Sequence, residues 1–198
     1  SSLISNYLTC PAPRTETMAD KHEIRLCGFG GQGIILAGYI IGQAAAVYEG
    51  INAVFTQDYG PEARGGACRA DVIISNEPIR YPYVGTPSVL VAMSQEAYEK
   101  YITQVRDDTL VIIEEDLVTP VGTVNNRTLM MPATRFAEEL GWVAVANVVM
   151  LGFLTAATSI LSADAVKKSI LASVPSGTGD LNTNAFEKGF EYARATVS

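Results

Sequence analysis

Hydrophobic and polar positions alternate over residues 23–28 (EIRLCG), and the run then meets a glycine cluster. Period-2 alternation bounded by glycine predicts a first strand. Residues 34–49 are apolar nearly all round and predict a buried helix, with Gly50 placed to end it. Residues 51–56 predict a second strand, and for a strand-loop-helix-strand unit a right-handed crossover with parallel pairing is the default. Three further apolar, β-branched runs at 70–75, 89–92 and 109–113 suit interior strands covered on both faces. Between the last two, Ala97, Tyr98, Tyr101, Ile102 and Val105 recur at helical spacing and predict a second crossover helix over 95–105.

The C-terminal third reads as helical. Residues 134–140 end at Gly141, residues 147–160 are largely apolar, and Ser162 is placed to cap a helix continuing to Val174. After a turn-rich stretch at 175–180, a last helix is expected over 183–195. The fold class is therefore α/β: a Rossmann-like, open and mostly parallel sheet with helices on both faces and a helical C-terminal third. Residues 1–20 are polar, carry two prolines and show no sustained period, so they read as an irregular N-terminal extension to one domain over 21–198. Met18 fits an original start; a tail that packs on a partner subunit is the other reading.

Composition narrows the function. The 198 residues are 48% hydrophobic and 18% charged, which suits one folded domain rather than a disordered chain. A net charge of -7 gives no general attraction to nucleic acid or anionic lipid. The longest apolar candidate, 143–154, is broken by Asn147 and Gly152 and falls short of the roughly 20 residues that cross a bilayer. Cys10, Cys27 and Cys68 are widely separated and His22 is the single histidine. An iron-sulfur cluster needs about four thiolates, so no self-contained cluster is expected, nor a metal site of another kind. Cys27 and Cys68 read as small buried hydrophobes in strands, in keeping with a reducing, cytoplasmic compartment. Residues 114–116, two glutamates and an aspartate, read as a solvated acidic run, and His22 has no evident partner.

Two glycine-rich segments carry the candidate chemistry. Gly28-Phe29-Gly30-Gly31-Gln32-Gly33 lies at a strand-to-helix junction, where glycine permits a sharp turn and the helix N-terminus offers free amides to an anion. Phosphate binding and close helix-sheet packing both explain it. A classical dinucleotide site would also need an acidic residue ending the second strand, which here ends Val54-Phe55-Thr56 with Asp58 slightly beyond. The second segment, residues 57–66 (QDYGPEARGG), follows that strand and opens on the same carboxyl edge. Arg64 suits a phosphate by paired hydrogen bonds. Gly65 and Gly66 leave backbone bare for contact, and a solvated surface turn is the plainer reading.

Taken together, GFGGQGI at 28–34 and YGPEARGG at 59–66 resemble the gamma subunit of 2-oxoacid:ferredoxin oxidoreductases. SNEPI at 75–79, MSQEAY at 93–98 and ANVVMLG at 146–152 match in the same order, so the resemblance spans nearly the whole chain beyond its first 20 residues. It implies a complex that converts a 2-oxoacid and coenzyme A into acyl-CoA, carbon dioxide and two reducing equivalents. Thiamine diphosphate, magnesium and iron-sulfur clusters would sit on alpha-, beta- and delta-type partner subunits, with ferredoxin or an NAD-linked acceptor reached through them. This chain would contribute no catalytic residue. Its Gly28, Gly30, Gly31, Gln32 and Gly33 would meet the coenzyme's phosphate or pantetheine region, faced by Arg64, Gly65 and Gly66. Asn147 is expected to cap its helix rather than face a subunit interface. The competing reading from another class is a free-standing nucleotide-binding module; a third is a purely structural subunit.

Overall fold

Strand alternation sorts the core into two layers, because successive side chains of a strand point to opposite faces. The structure is a computed structural model that describes residues 21–59, 66–121 and 126–197; the expectations for residues 1–20 lie outside these. Its six strands are β1 (Lys21–Phe29), β2 (Asn52–Asp58), β3 (Ala67–Ser75), β4 (Val89–Ala92), β5 (Leu110–Glu114) and β6 (Thr128–Met131). They form one sheet in the order β2-β3-β1-β4-β5-β6. Ile24, Leu26, Val72, Val91 and Ile112 face one core; Cys27, Leu90, Ala92, Val111 and Ile113 face the other.

The first core is covered by α1 (Ile34–Gln43), α3 (Ala133–Glu139), α4 (Ala146–Thr158), α5 (Ala163–Ser173) and α6 (Gly179–Thr196). The second is covered by α2 (Gln95–Ile102), through Ala97, Tyr98 and Tyr101. Phe153 and Phe186 are buried in the larger core, and removing such a side chain from water contributes about 1.5–3 kcal/mol each. Ser162 caps α5 as expected, its hydroxyl accepting from the Ala165 amide at 3.2 Å.

Four expectations are corrected. β1 and β2 do not pair: β3 lies between them, antiparallel to both, whereas β1-β4, β4-β5 and β5-β6 are parallel. Too few residues separate β2 from β3 for a crossover, which needs a dozen or more, so these two strands pair antiparallel. The last helix starts at Gly179, earlier than expected, with Asn182 donating back to the Thr178 carbonyl at 2.8 Å. The helix over 34–49 changes its final turn to π form at Ala44–Tyr48.

The fourth correction concerns Glu114, which is fully buried instead of solvated. One carboxylate oxygen accepts from the Thr134 amide at 3.0 Å, while the other, Oε2, makes no hydrogen bond among the described residues. Burial pushes the carboxyl above its ordinary 4.5, against smaller downward pulls from the Thr134 and Leu117 amides. A carboxyl whose value is raised on folding contributes stability that is fully present below the ordinary value and lost as pH rises through the raised one. Glu114→Gln cannot ionise, so it should remove this part of the pH dependence. Denaturant unfolding of both proteins from acid to neutral pH checks it; parallel stability curves would refute it.

Candidate functional site

The junction of β1 and α1 is built from the last strand residues, a glycine corner and the first turn of the helix. Gly31 has φ 104° and Gly33 φ 72°, both in the left-handed region that glycine enters at little cost. Gly33 is the N-cap of α1, and the first turn contains no acidic residue. The unpaired first-turn amides and the positive end of the helix dipole therefore remain available to an anion.

The glycines divide into two kinds. A Cβ on Gly30 or Gly31 would meet nothing within 4 Å. A Cβ on Gly28 would lie 2.5 Å from Gln32 Oε1, and one on Gly33 would lie 2.3 Å from Asn147 Nδ2. The Gln32 side chain is engaged at both ends: Oε1 accepts from the Phe29 amide at 2.7 Å, and Nε2 donates to the Met93 carbonyl at 2.8 Å. Asn147, buried in the first turn of α4, accepts from the Val148 amide at 2.9 Å and donates to the Gly33 carbonyl at 3.2 Å. It thus satisfies one helix-start amide, as a cap would, but from inside the helix, where Val145 is the N-cap.

Beside the corner lies a cavity of about 550 Å³. Gly30 and Gly31 form one wall, with Tyr39 of α1, Phe55 of β2, Tyr59 and Cys68 around them. Most of this lining is apolar, so the site joins backbone amides at a helix start to a greasy trough. That combination suits a ligand with an anionic group and an apolar arm. Burial pushes the Cys68 thiol above its ordinary value, opposed by a smaller backbone hydrogen bond. Burial likewise raises Cys27, whose Sγ donates to the Val91 carbonyl. Both stay protonated thiols at neutral pH and are poor nucleophiles.

The sheet register brings the two described ends of the second segment toward the first. Phe29 pairs with Ala67 and Gly28 with Cys68, so the buried Gly66 adjoins the strand that ends in the glycine corner. Tyr59, at the end of β2, lines the same cavity. Arg64 and Gly65 lie outside the described residues. Among the described residues no group of three or more His, Cys, Asp or Glu side chains could hold a metal ion, and no helix is long and apolar enough to cross a membrane. Sequence reasoning missed Tyr39, Phe55 and Tyr59 as lining residues. An aromatic on an apolar helix and one on an edge strand read as ordinary core, and only the fold sets them side by side.

Comparison with known proteins extends this geometry. The family model for pyruvate ferredoxin/flavodoxin oxidoreductase matches residues 23–192. The 2-oxoglutarate synthase subunit KorC of Methanocaldococcus jannaschii is 51% identical over 177 residues, covering 88% of this chain and 95% of that protein. Among solved structures, the gamma subunit of a keto/oxoacid ferredoxin oxidoreductase from Geobacter sulfurreducens is 38% identical with a TM-score of 0.82, over 90% of this chain and 99% of that one. A 2-oxoglutarate:ferredoxin oxidoreductase from Magnetococcus marinus, solved with 2-oxoglutarate, coenzyme A and succinyl-CoA bound, shares the fold at 24% identity and a TM-score of 0.80. That match covers 90% of this chain and 32% of the other.

Proposed function

Because this chain belongs to the pyruvate ferredoxin/flavodoxin oxidoreductase family, we propose that it is the gamma-type subunit of a 2-oxoglutarate-oxidising complex and receives coenzyme A at its glycine corner. The choice of oxoacid follows the KorC relatives, each named as a 2-oxoglutarate synthase subunit. The enzyme is an oxidoreductase acting on a 2-oxoacid, and this chain works as one of its subunits. Near-complete coverage of a subunit of such an enzyme disfavours a free-standing nucleotide-binding module.

One observation carries the coenzyme reading: the unobstructed Gly30-Gly31 backbone opens on an apolar cavity beside the start of α1. A phosphate can lie against the helix-start amides while the pantetheine arm follows Tyr39 and Phe55. Arg64, Gly65 and Gly66 belong to the facing wall in this proposal. Three cysteines fall short of the about four thiolates of a cluster. Iron-sulfur clusters, thiamine diphosphate and magnesium are therefore assigned to alpha-, beta- and delta-type partners, which also pass electrons to ferredoxin or an NAD-linked acceptor. The compartment proposed is the cytoplasm.

In the assembled complex, Arg64→Ala should remove a charge-assisted contact and raise the KM for coenzyme A about tenfold to a hundredfold. Gly31→Val should act on the same parameter, by blocking the backbone and by straining a positive φ. Oxoacid decarboxylation without coenzyme A reports the thiamine site separately and should hardly change. Unaltered coenzyme A kinetics in both assembled variants would refute the assignment.

A further inference from the structure

We infer that Gln32 and Asn147 are positioning residues that hold the glycine corner in its ligand-ready shape from two sides, without touching the ligand themselves; this rests on the coenzyme reading above. The glycine motif serves both ends: Gly28 and Gly33 make room for the two tethers, and Gly30 and Gly31 face the cavity.

The first tether runs from β4. Met93 follows that strand, its amide donates to the Cys27 carbonyl at 2.8 Å, and its own carbonyl accepts from Gln32 Nε2. Met93 is thereby locked to β1 and passes that rigidity to the corner. Through Oε1 the same side chain closes the turn on the Phe29 amide, alongside the backbone bond from the Gln32 amide to the Phe29 carbonyl at 3.2 Å. The second tether comes from α4, distant in sequence. Asn147 is 3% exposed and holds the Gly33 carbonyl, which also accepts from the Ala37 amide at 2.9 Å. Neither Gln32 nor Asn147 lines the cavity.

A corner containing three glycines loses more chain entropy on ordering than other sequences do. Amides aimed in advance bind an anion better than amides that must be gathered at each encounter. Two tethers on rigid elements supply that preorganisation, while neither adds a contact to the ligand.

Three substitutions separate the roles. Gln32→Glu keeps an acceptor for Phe29 but sets a carboxylate against the Met93 carbonyl. Asn147→Ser keeps a short oxygen near the Val148 amide but no donor that reaches Gly33. Gly31→Val tests the ligand surface itself. Hydrogen-deuterium exchange of the full chain, with KM for coenzyme A in the assembled complex, reads them out. Each tether variant is expected to speed exchange at the hydrogen-bonded Phe29, Gln32 and Ala37 amides about three- to tenfold, and to raise KM by a similar factor at unchanged kcat. Unchanged exchange at the corner in both variants overturns the inference, as does acceleration spread evenly over the whole chain. So does faster exchange with unmoved KM while Gly31→Val raises it. If Gly31→Val leaves KM unmoved as well, the coenzyme reading itself has failed, and exchange then shows only whether the tethers hold the corner.

Discussion

Asp71→Ala should lower the unfolding free energy of the chain by about 3–5 kcal/mol, because it strands a guanidinium inside the smaller core. Arg25 is 1% exposed and Asp71 4%. The pair is bidentate, with Nε to Oδ1 at 2.8 Å and Nη2 to Oδ2 at 2.9 Å. The remaining donors reach Gln104 Oε1 at 2.6 Å and the Val84 carbonyl at 2.9 Å, and the Tyr101 ring lies 5.3 Å from the guanidinium. Every part of this arrangement assumes a balancing carboxylate. Replacing both charges, as in Arg25→Met with Asp71→Leu, should recover much of the loss, since well-packed apolar side chains often match a buried ion pair. Guanidinium unfolding measures both proteins. A single-variant loss below about 1 kcal/mol would mean the site is wetter than its burial indicates.

At the crossing of α4 and α6 a single methyl group should be nearly as damaging. A Cβ on Gly189 would sit 1.9 Å from the Val149 carbonyl oxygen, and one on Gly152 would sit 2.0 Å from that of Phe186. Both obstacles are helix backbone, so relief requires the two helices to part and loosens the packing of Phe153 and Phe186. Overpacking of this kind costs about 3 kcal/mol. It outweighs the gain of about 1 kcal/mol that alanine brings to a helix interior. Gly189→Ala and Gly152→Ala should each lower Tm by about 4–8 °C for a domain of this size. An alanine variant that melts at or above the parent temperature would show that helix propensity governs the position and that the crossing yields.

Much of the layout is legible from local pattern. The alternation of β1, the apolar runs of β3, β4 and β5, the helical spacing of α2 and the Ser162 cap each follow from a few neighbouring residues. Strand direction does not, because a run such as ADVIIS packs equally well either way up. The short link from Tyr59 to Gly66 held that information, since it can join only antiparallel neighbours. β6 reads TLMM, too short and too weakly β-branched to stand out. For Asp71 a warning was present, since it interrupts a strand expected to be covered on both faces, where an unpaired charge is untenable; Arg25 sits at a polar position of an alternating run and gave no such sign. Their mutual position still required the register. At the candidate site the glycine corner was legible, because glycine composition and strand-to-helix context are local. Gln32 reads from sequence as a ligand contact, but its partners Phe29 and Met93 become visible only when β4 is placed beside β1.

The central place of β1 in the sheet bears on the order in which the chain can assemble. β2 and β3 form a local hairpin, Asp58 facing Arg69, and β4, α2, β5 and β6 follow one another with neighbouring partners. Neither group pairs directly with the other; β1 joins them. Its Arg25 must find Asp71 at a separation of 46 residues and Gln104 at 79. Closing such loops is the entropically slow part of folding. In a chain emerging from the ribosome β1 can meet β3 first, but it gains its second neighbour only once β4 has followed, so the strand that precedes the others in the described chain keeps one edge unpaired until then.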